Sequence, residues 1–266
     1  MLALPASRVG EFVARPSEGA PPARVPKASD VLANLLKERI LSEGLSPGDR
    51  LPPEAELIDE YKFSRGTTRE ALRMLETDGL VAVRRGPYGG VEVTAPDVTQ
   101  VTRSMAVLFA FEGTPISDLV AFRLIIEPSA ATMAAANATL EQRKELLDAT
   151  ETAAPGSVPR SVDFHRMLGR ATNNGFMSTI MTAMNKVLEW QTTRQELTAH
   201  EQSDTNSSHR AIAEAVYAGN GEKAAHYMQM HLQEFKALLE RQGKLDQPVV
   251  PRPTGNGAQP RNAALY

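Results

Sequence analysis

The stretch Phe63-Ser64-Arg65-Gly66-Thr67-Thr68-Arg69-Glu70-Ala71-Leu72-Arg73-Met74-Leu75-Glu76-Thr77-Asp78-Gly79 decides how this chain is read. A serine ahead of a run of helix formers is an N-cap, because its hydroxyl accepts from a first-turn amide. The glycine at the far end is a stop, because it tolerates left-handed backbone. Between them Arg65, Arg69 and Arg73 recur at every fourth residue and line one stripe, while Ala71, Leu72 and Leu75 form an adjacent apolar face. One face can dock on a domain while the other presents arginines beside Thr67 and Thr68. A helix built this way suits the major groove, where an arginine fork grips guanine O6 and N7 in two bonds. Ser64, Thr67 and the free N-terminal amides suit phosphate. Spacing alone equally allows a solvated arginine face balanced by Glu70 and Glu76.

The flanking sequence favours DNA. Upstream, Pro52–Tyr61 reads as a helix with Leu57 and Ile58 inward. Before it, Ser29 is the expected cap of a helix carrying Val31, Leu32, Leu35, Leu36 and Ile40, ended by Gly44, Pro47 and Gly48. Downstream, Leu80–Arg84 and Val91–Thr94 read as two strands around the glycine-rich tip Gly86-Pro87-Tyr88-Gly89-Gly90. Arg84 and Arg85, beside that tip, can reach a neighbouring phosphate or the minor groove. From Lys62 to Gly86 there are six basic residues (Lys62, Arg65, Arg69, Arg73, Arg84, Arg85) against three acidic ones (Glu70, Glu76, Asp78), in a chain whose net charge is −3. A basic patch in an otherwise acidic chain marks a local binding surface. Residues 27–95 therefore read as a winged helix-turn-helix DNA-binding domain with a small β-hairpin wing.

The rest of the chain differs in character. Residues 96–242 have almost no strand signal and read as an all-α antiparallel bundle of six or seven helices. Breaks are expected near Gly113–Pro115, Ala138-Thr139, Pro155–Pro159, Asn173–Gly175, the polar run Ser203–Ser208 and Gly219–Gly221. The proline-rich residues 1–26 read as a flexible arm, and the Pro-, Gly- and Asn-rich residues 243–266 as a flexible tail. With no cysteine, disulfides and thiolate metal sites are excluded, and a reducing cytoplasm is the expected setting. No signal peptide is evident, no apolar stretch approaches the ~18 residues of a membrane helix, and no membrane partner is expected.

His165, His209 and His231 fall on three different predicted helices. Imidazoles from separate helices can converge in a bundle core on a divalent metal such as zinc or nickel. Spacing alone does not separate that arrangement from surface or core histidines. Arg123 is the candidate for gripping an effector carboxylate, with an i,i+4 pair to Glu127 as the competing reading.

These motifs carry a resemblance. Leu51-Pro52-Pro53-Glu54, then Phe63 to Leu72, then Leu75-Glu76 and Asp78-Gly79-Leu80-Val81, resembles the winged-helix signature of the GntR family of transcription regulators. The resemblance implies DNA contacts at Arg65, Thr67, Thr68, Arg69 and the wing glycine Gly86, and a homodimer on a palindromic double-stranded operator. It also shows a departure: many members place an arginine just after the glutamate of the second helix, where this chain has Ala55. Arg123-x-x-x-Glu127, Phe164-His165, Ala171 with Asn174, His209-Arg210-Ala211-Ile212, and Ala224 with Met228 and His231-Leu232 resemble the FCD ligand domain of the FadR branch.

That branch often holds a metal with one aspartate and three histidines, which implies His165, His209 and His231 as ligands. The aspartate position, one turn before the first histidine, is Ser161 here, and Asp163 lies about 200° round the helix from His165. Three outcomes stay open: a three-histidine metal completed by water or effector, a metal-free anion site, or structural remnants. Asn174 matches an effector position of the branch, though a helix N-cap explains it as well. The whole reads as a ligand-responsive regulator, a repressor released by a small organic-acid or sugar-acid effector, and not an enzyme. A metal-dependent hydrolase using the three histidines is the alternative; it leaves the first 95 residues unexplained.

Overall fold

A computed structural model of the chain describes residues 26–84, 89–150, 161–192 and 199–251. They form two compact units dividing between Ala95 and Pro96. In the first, α1 (Ala28–Ser42), α2 (Glu54–Tyr61) and α3 (Arg65–Thr77) pack on an antiparallel sheet of β1 (Arg50–Leu51), β2 (Val81–Arg84) and β3 (Gly90–Val93), in the order β1-β3-β2. The core joins Leu32, Leu36 and Ile40 of α1, Leu57 of α2, and Ala71, Leu72 and Leu75 of α3 with Val81, Val91 and Val93 of the sheet.

Ser64 caps α3 as expected, its Oγ accepting from the Thr67 amide at 3.1 Å. Ser29 does not cap α1: Lys27 takes that position, and Ser29 is buried inside the helix. The strand β1 is an addition to the two read from sequence, since two residues are too short to show a strand period. Between α2 and α3 the chain turns at Lys62, which adopts the left-handed conformation (φ 59°) while its amide donates to the Ile58 carbonyl.

The second unit has seven helices among the described residues: α4 (Val98–Glu112), α5 (Ile116–Asn137), α6 (Leu140–Asp148), α7 (Ser161–Ala171), α8 (Gly175–Thr192), α9 (Ala199–Tyr217) and α10 (Gly221–Arg241). Helix α5 packs on α7, α9 and α10. Its buried Ala130, Ala131, Ala134 and Ala135 admit close approach by Phe164, Leu168, Met181, Ile212, Val216, Met228 and Leu232. At its far end Arg143 of α6 donates to the carbonyls of Ala135, Ala138, Val216 and Tyr217, satisfying the last turns of α5 and α9 together.

Three expectations need correcting here. The polar run Ser203–Ser208 is no break; α9 passes through it, with the hydroxyls of Ser207 and Ser208 bonded back to the carbonyls of Ser203 and Asp204. Such back-bonding satisfies the side chains without leaving the helix. Residues 243–251 are not a loose tail. The carbonyls of Leu245 and Gln247 accept from the amides of Ser117 and Ile116, which have no side-chain cap, and Val249 and Val250 are buried. The start of a long helix needs acceptors, and this segment supplies them. Finally, α5 is long and apolar enough to cross a membrane by length and composition. Its Ala130, Ala131, Ala134 and Ala135 lie in the bundle core, and it carries the buried pair Arg123 and Glu127. Residues 1–25 and 252–266 lie outside the described residues.

Candidate functional sites: an arginine-striped helix and a buried histidine cluster

The exposed face of α3 carries Arg65, Arg69 and Arg73. Arg69 is held in place: its Nε donates to both carboxylate oxygens of Glu54 at 3.0 and 3.1 Å. Arg73 lies 3.9 Å from Glu70, and Arg84 lies 3.3 Å from Glu92. Ser64 Oγ and Thr67 Oγ1 are 2.9 Å apart at the helix start. Thr68 departs from expectation. It is fully buried, and its hydroxyl donates to the Ser64 carbonyl at 3.1 Å, so it braces the turn instead of facing outward. Arg85 and Gly86 lie outside the described residues.

The bundle brings His165 (α7), His209 (α9) and His231 (α10) together, all buried. The Nε2 atoms of His209 and His165 are 3.2 Å apart, as are those of His209 and His231. Tetrahedral ligands about 2.05 Å from a zinc ion sit about 3.3 Å from one another, which is the spacing of His209 from each of its two neighbours, and all three ligand atoms lie within 4.8 Å of one another. The rings are fixed by their surroundings. His165 Nδ1 donates to the Glu127 carboxylate at 2.6 Å, which turns its Nε2 inward. Phe164 stacks on His209 with ring centroids 4.3 Å apart.

The electrostatics suit a cation. Burial, then the nearness of His231, opposes protonation of His209 and pushes it well below its ordinary value; burial, then His165, does the same to His231. Both are neutral imidazoles with lone pairs available. Burial alone would raise the Glu127 carboxyl, but the Arg123 guanidinium and His165 outweigh it and hold the carboxyl well below the usual carboxylate range. The donor set therefore fits a divalent metal, with Glu127 as outer partner.

Acid lability follows. With metal removed, the folded values of His209 and His231 lie below their unfolded 6.5, so the unfolded chain takes up protons first. Stability is complete above that value and should fall as pH drops below it, by up to about 1.4 kcal/mol per pH unit per histidine. Urea titration of the chelated protein across pH 7.5 to 5 checks this; a flat profile contradicts it.

Arg123 adopts the pairing that sequence offered as the competing reading. Its Nε and Nη2 donate to Glu127 at 2.5 and 3.3 Å, its guanidinium lies over the Phe235 ring, and Nη2 is 3.3 to 3.4 Å from the His165 ring nitrogens. Arg123 thus stands against the cluster. Asn174 does not join it. That residue is exposed beyond the end of α7, and its Oδ1 accepts from the Met177 amide at 3.0 Å as the N-cap of α8. Ser161 begins α7, one turn before His165. Asp163 is half-exposed and paired with Arg166 at 2.6 Å, away from the cluster. Sequence reading undervalued Glu127, treating it only as a partner for Arg123; the i,i+4 motif was the available signal.

Residues 28–91 match the bacterial regulatory proteins of the gntR family, and residues 118–234 match the FCD domain. The chain belongs to the GntR family, with an FCD domain behind its winged helix. It is similar to the HTH-type transcriptional repressor NanR of Enterobacter sp. (strain 638), at 29% identity over 91% of this chain and 96% of that protein. It is also similar to the Uxu operon transcriptional regulator of Escherichia coli K12, at 28% over 77% and 84%. Among solved structures, Streptococcus agalactiae GntR matches with TM-score 0.60 and 26% identity, over 79% of this chain and 99% of that one. This GntR/FCD chain is a DNA-binding transcription regulator and not an enzyme, and nothing supports the hydrolase alternative.

Proposed function

We propose that this regulator is a cytoplasmic homodimeric repressor, released from a palindromic operator when a small carboxylate binds a metal held by His165, His209 and His231. The convergence of the three buried histidines, with the Nε2 atoms of His165 and His231 each 3.2 Å from that of His209, carries the reading. Three histidines leave a zinc or nickel ion with its full charge and at least one free position, and the Arg123 cation stands beside it. An anion completes that shell. A second copy of the chain suits the apolar stripe of Val101, Leu108 and Phe111, all at least half exposed on α4, and two-fold symmetry then matches a palindrome. The similarity to a repressor sets the expected sign of regulation.

The DNA half is tested with the promoter upstream of the protein's own gene. Arg65→Ala and Arg69→Ala are each expected to weaken specific binding by about 1–3 kcal/mol, read by gel shift at fixed salt. Fold and dimer should be untouched, because both side chains face outward. Undiminished operator affinity in both variants would remove α3 as the reading element.

A further inference from the structure

Asn185 of α8 is almost fully buried, yet neither its Oδ1 nor its Nδ2 has a hydrogen-bond partner. Buried carboxamides are nearly always bonded, and one left open on both atoms is costly unless something else meets it. Its position says what that is. Helices α7 and α8 run antiparallel across a short turn, and Gly169 of α7 lies against Met181 of α8: a Cβ built at Gly169 falls 2.9 Å from Met181 Cβ. Four residues onward along α8 is Asn185, and four residues back along α7 is His165. In an antiparallel pair those steps carry both to the same level.

A second observation agrees. Met181 and Met184 belong to one apolar core, with Phe164 and Leu168. Val187 belongs to another, with Leu239 and the flanking Phe235. Asn185 stands between them on α8, and Arg123, which lies over Phe235 and against His165, bridges the same two cores.

We propose that Asn185 is a specificity-determining residue for the effector, reading a hydroxyl on a carboxylate bound beside the histidines. A carboxamide offers two donors and an acceptor, so it can accept from a hydroxyl while donating to the adjacent carboxylate or hydroxyl oxygen. A carboxylate alone accepts and would leave Oδ1 open. The chemistry selects hydroxy acids over their deoxy counterparts, because a site built around a polar group rejects an analogue that leaves it unpaired. This assignment rests on the three-histidine reading and adds the identity of the group recognised.

The test uses the full-length, zinc-loaded protein and calorimetric titration with lactate, malate and gluconate against propionate, succinate and hexanoate. Wild type should favour at least one hydroxy acid over its deoxy partner by about tenfold or more. Asn185→Leu should abolish that preference while zinc affinity and operator binding stay unchanged. Asn185→Leu should also raise the melting temperature of the ligand-free protein, since it removes an unpaired buried amide. A fall in melting temperature would mean that Asn185 carries a structural bond, and the proposal is overturned. Equal affinity for every pair in wild type, or a preference that survives in Asn185→Leu, overturns it too. Zinc titration reports the three-histidine reading separately: a protein that binds zinc yet shows no hydroxyl preference refutes the role of Asn185 and leaves the metal centre standing.

Discussion

Glu127→Leu is expected to destabilise the helical domain by about 3–5 kcal/mol, the cost of leaving a buried charge without its partner. Arg123 and Glu127 are almost wholly buried, joined at 2.5 Å, and Glu127 also accepts a hydrogen bond from His165 Nδ1. Removing the carboxylate strands a guanidinium and an imidazole N–H in the core at once. The double variant Arg123→Met/Glu127→Leu should recover much of the loss, because a buried ion pair replaced by apolar groups is often close to neutral. Metal affinity behaves differently. It should fall about 10- to 100-fold in both variants, since His165 loses the acceptor that orients it. Urea denaturation and zinc titration of the two proteins separate these effects. A double variant as unstable as the single one would show that the pair is not the unit at stake.

That pair also shows where sequence reading reaches and where it stops. The DNA-binding unit was legible because its signals are local. Ser64 caps the helix it precedes, and the spacing of Ala71, Leu72 and Leu75 fixes which face is buried. Thr68 faces inward although its neighbours at the same helix start face outward, and that is not legible in sequence because its bond to the Ser64 carbonyl depends on the docked geometry. In the bundle, the three histidines were identified through resemblance, not spacing; 44 and 22 residues separate His209 from its two neighbours.

Glu127 looked like a partner for one arginine because the contact with His165 crosses between helices. Asn174 was explained equally well by a cap or an effector contact, and only the bond to the Met177 amide favours the cap. The chain after Gly243 has the composition of a tail; what holds residues 243–251 is the need of α5, more than a hundred residues earlier, for acceptors at its first turn. Ser203–Ser208 has the composition of a loop, and tertiary packing of Ile212, Ala213 and Val216 on the same helix overrides it.

His209→Ala is expected to weaken metal binding by more than about a hundredfold, beyond the loss from an outer partner such as Glu127. In the proposed site His209 is central: its Nε2 lies 3.2 Å from the Nε2 of both other histidines. Without it, two nitrogens remain, and His231 and His165 no longer share a common neighbour. At the position where the resemblance implies a carboxylate ligand, one turn before His165, this chain has Ser161, the first residue of α7. A metal held by three neutral imidazoles keeps its +2 charge, so an anionic effector gains more by joining it, and by linkage metal and carboxylate should each raise the affinity of the other by the same factor. Ser161→Asp should therefore tighten zinc binding in the absence of effector and diminish that mutual enhancement, because the new carboxylate occupies the charge the effector would meet. Zinc titration with and without malate, on wild type, His209→Ala and Ser161→Asp, reads all three effects. Unchanged zinc affinity in His209→Ala would place the metal elsewhere. Enhancement by malate that is as large in Ser161→Asp as in wild type would show that the anion does not bind at the metal, leaving Arg123 as the cation that receives it.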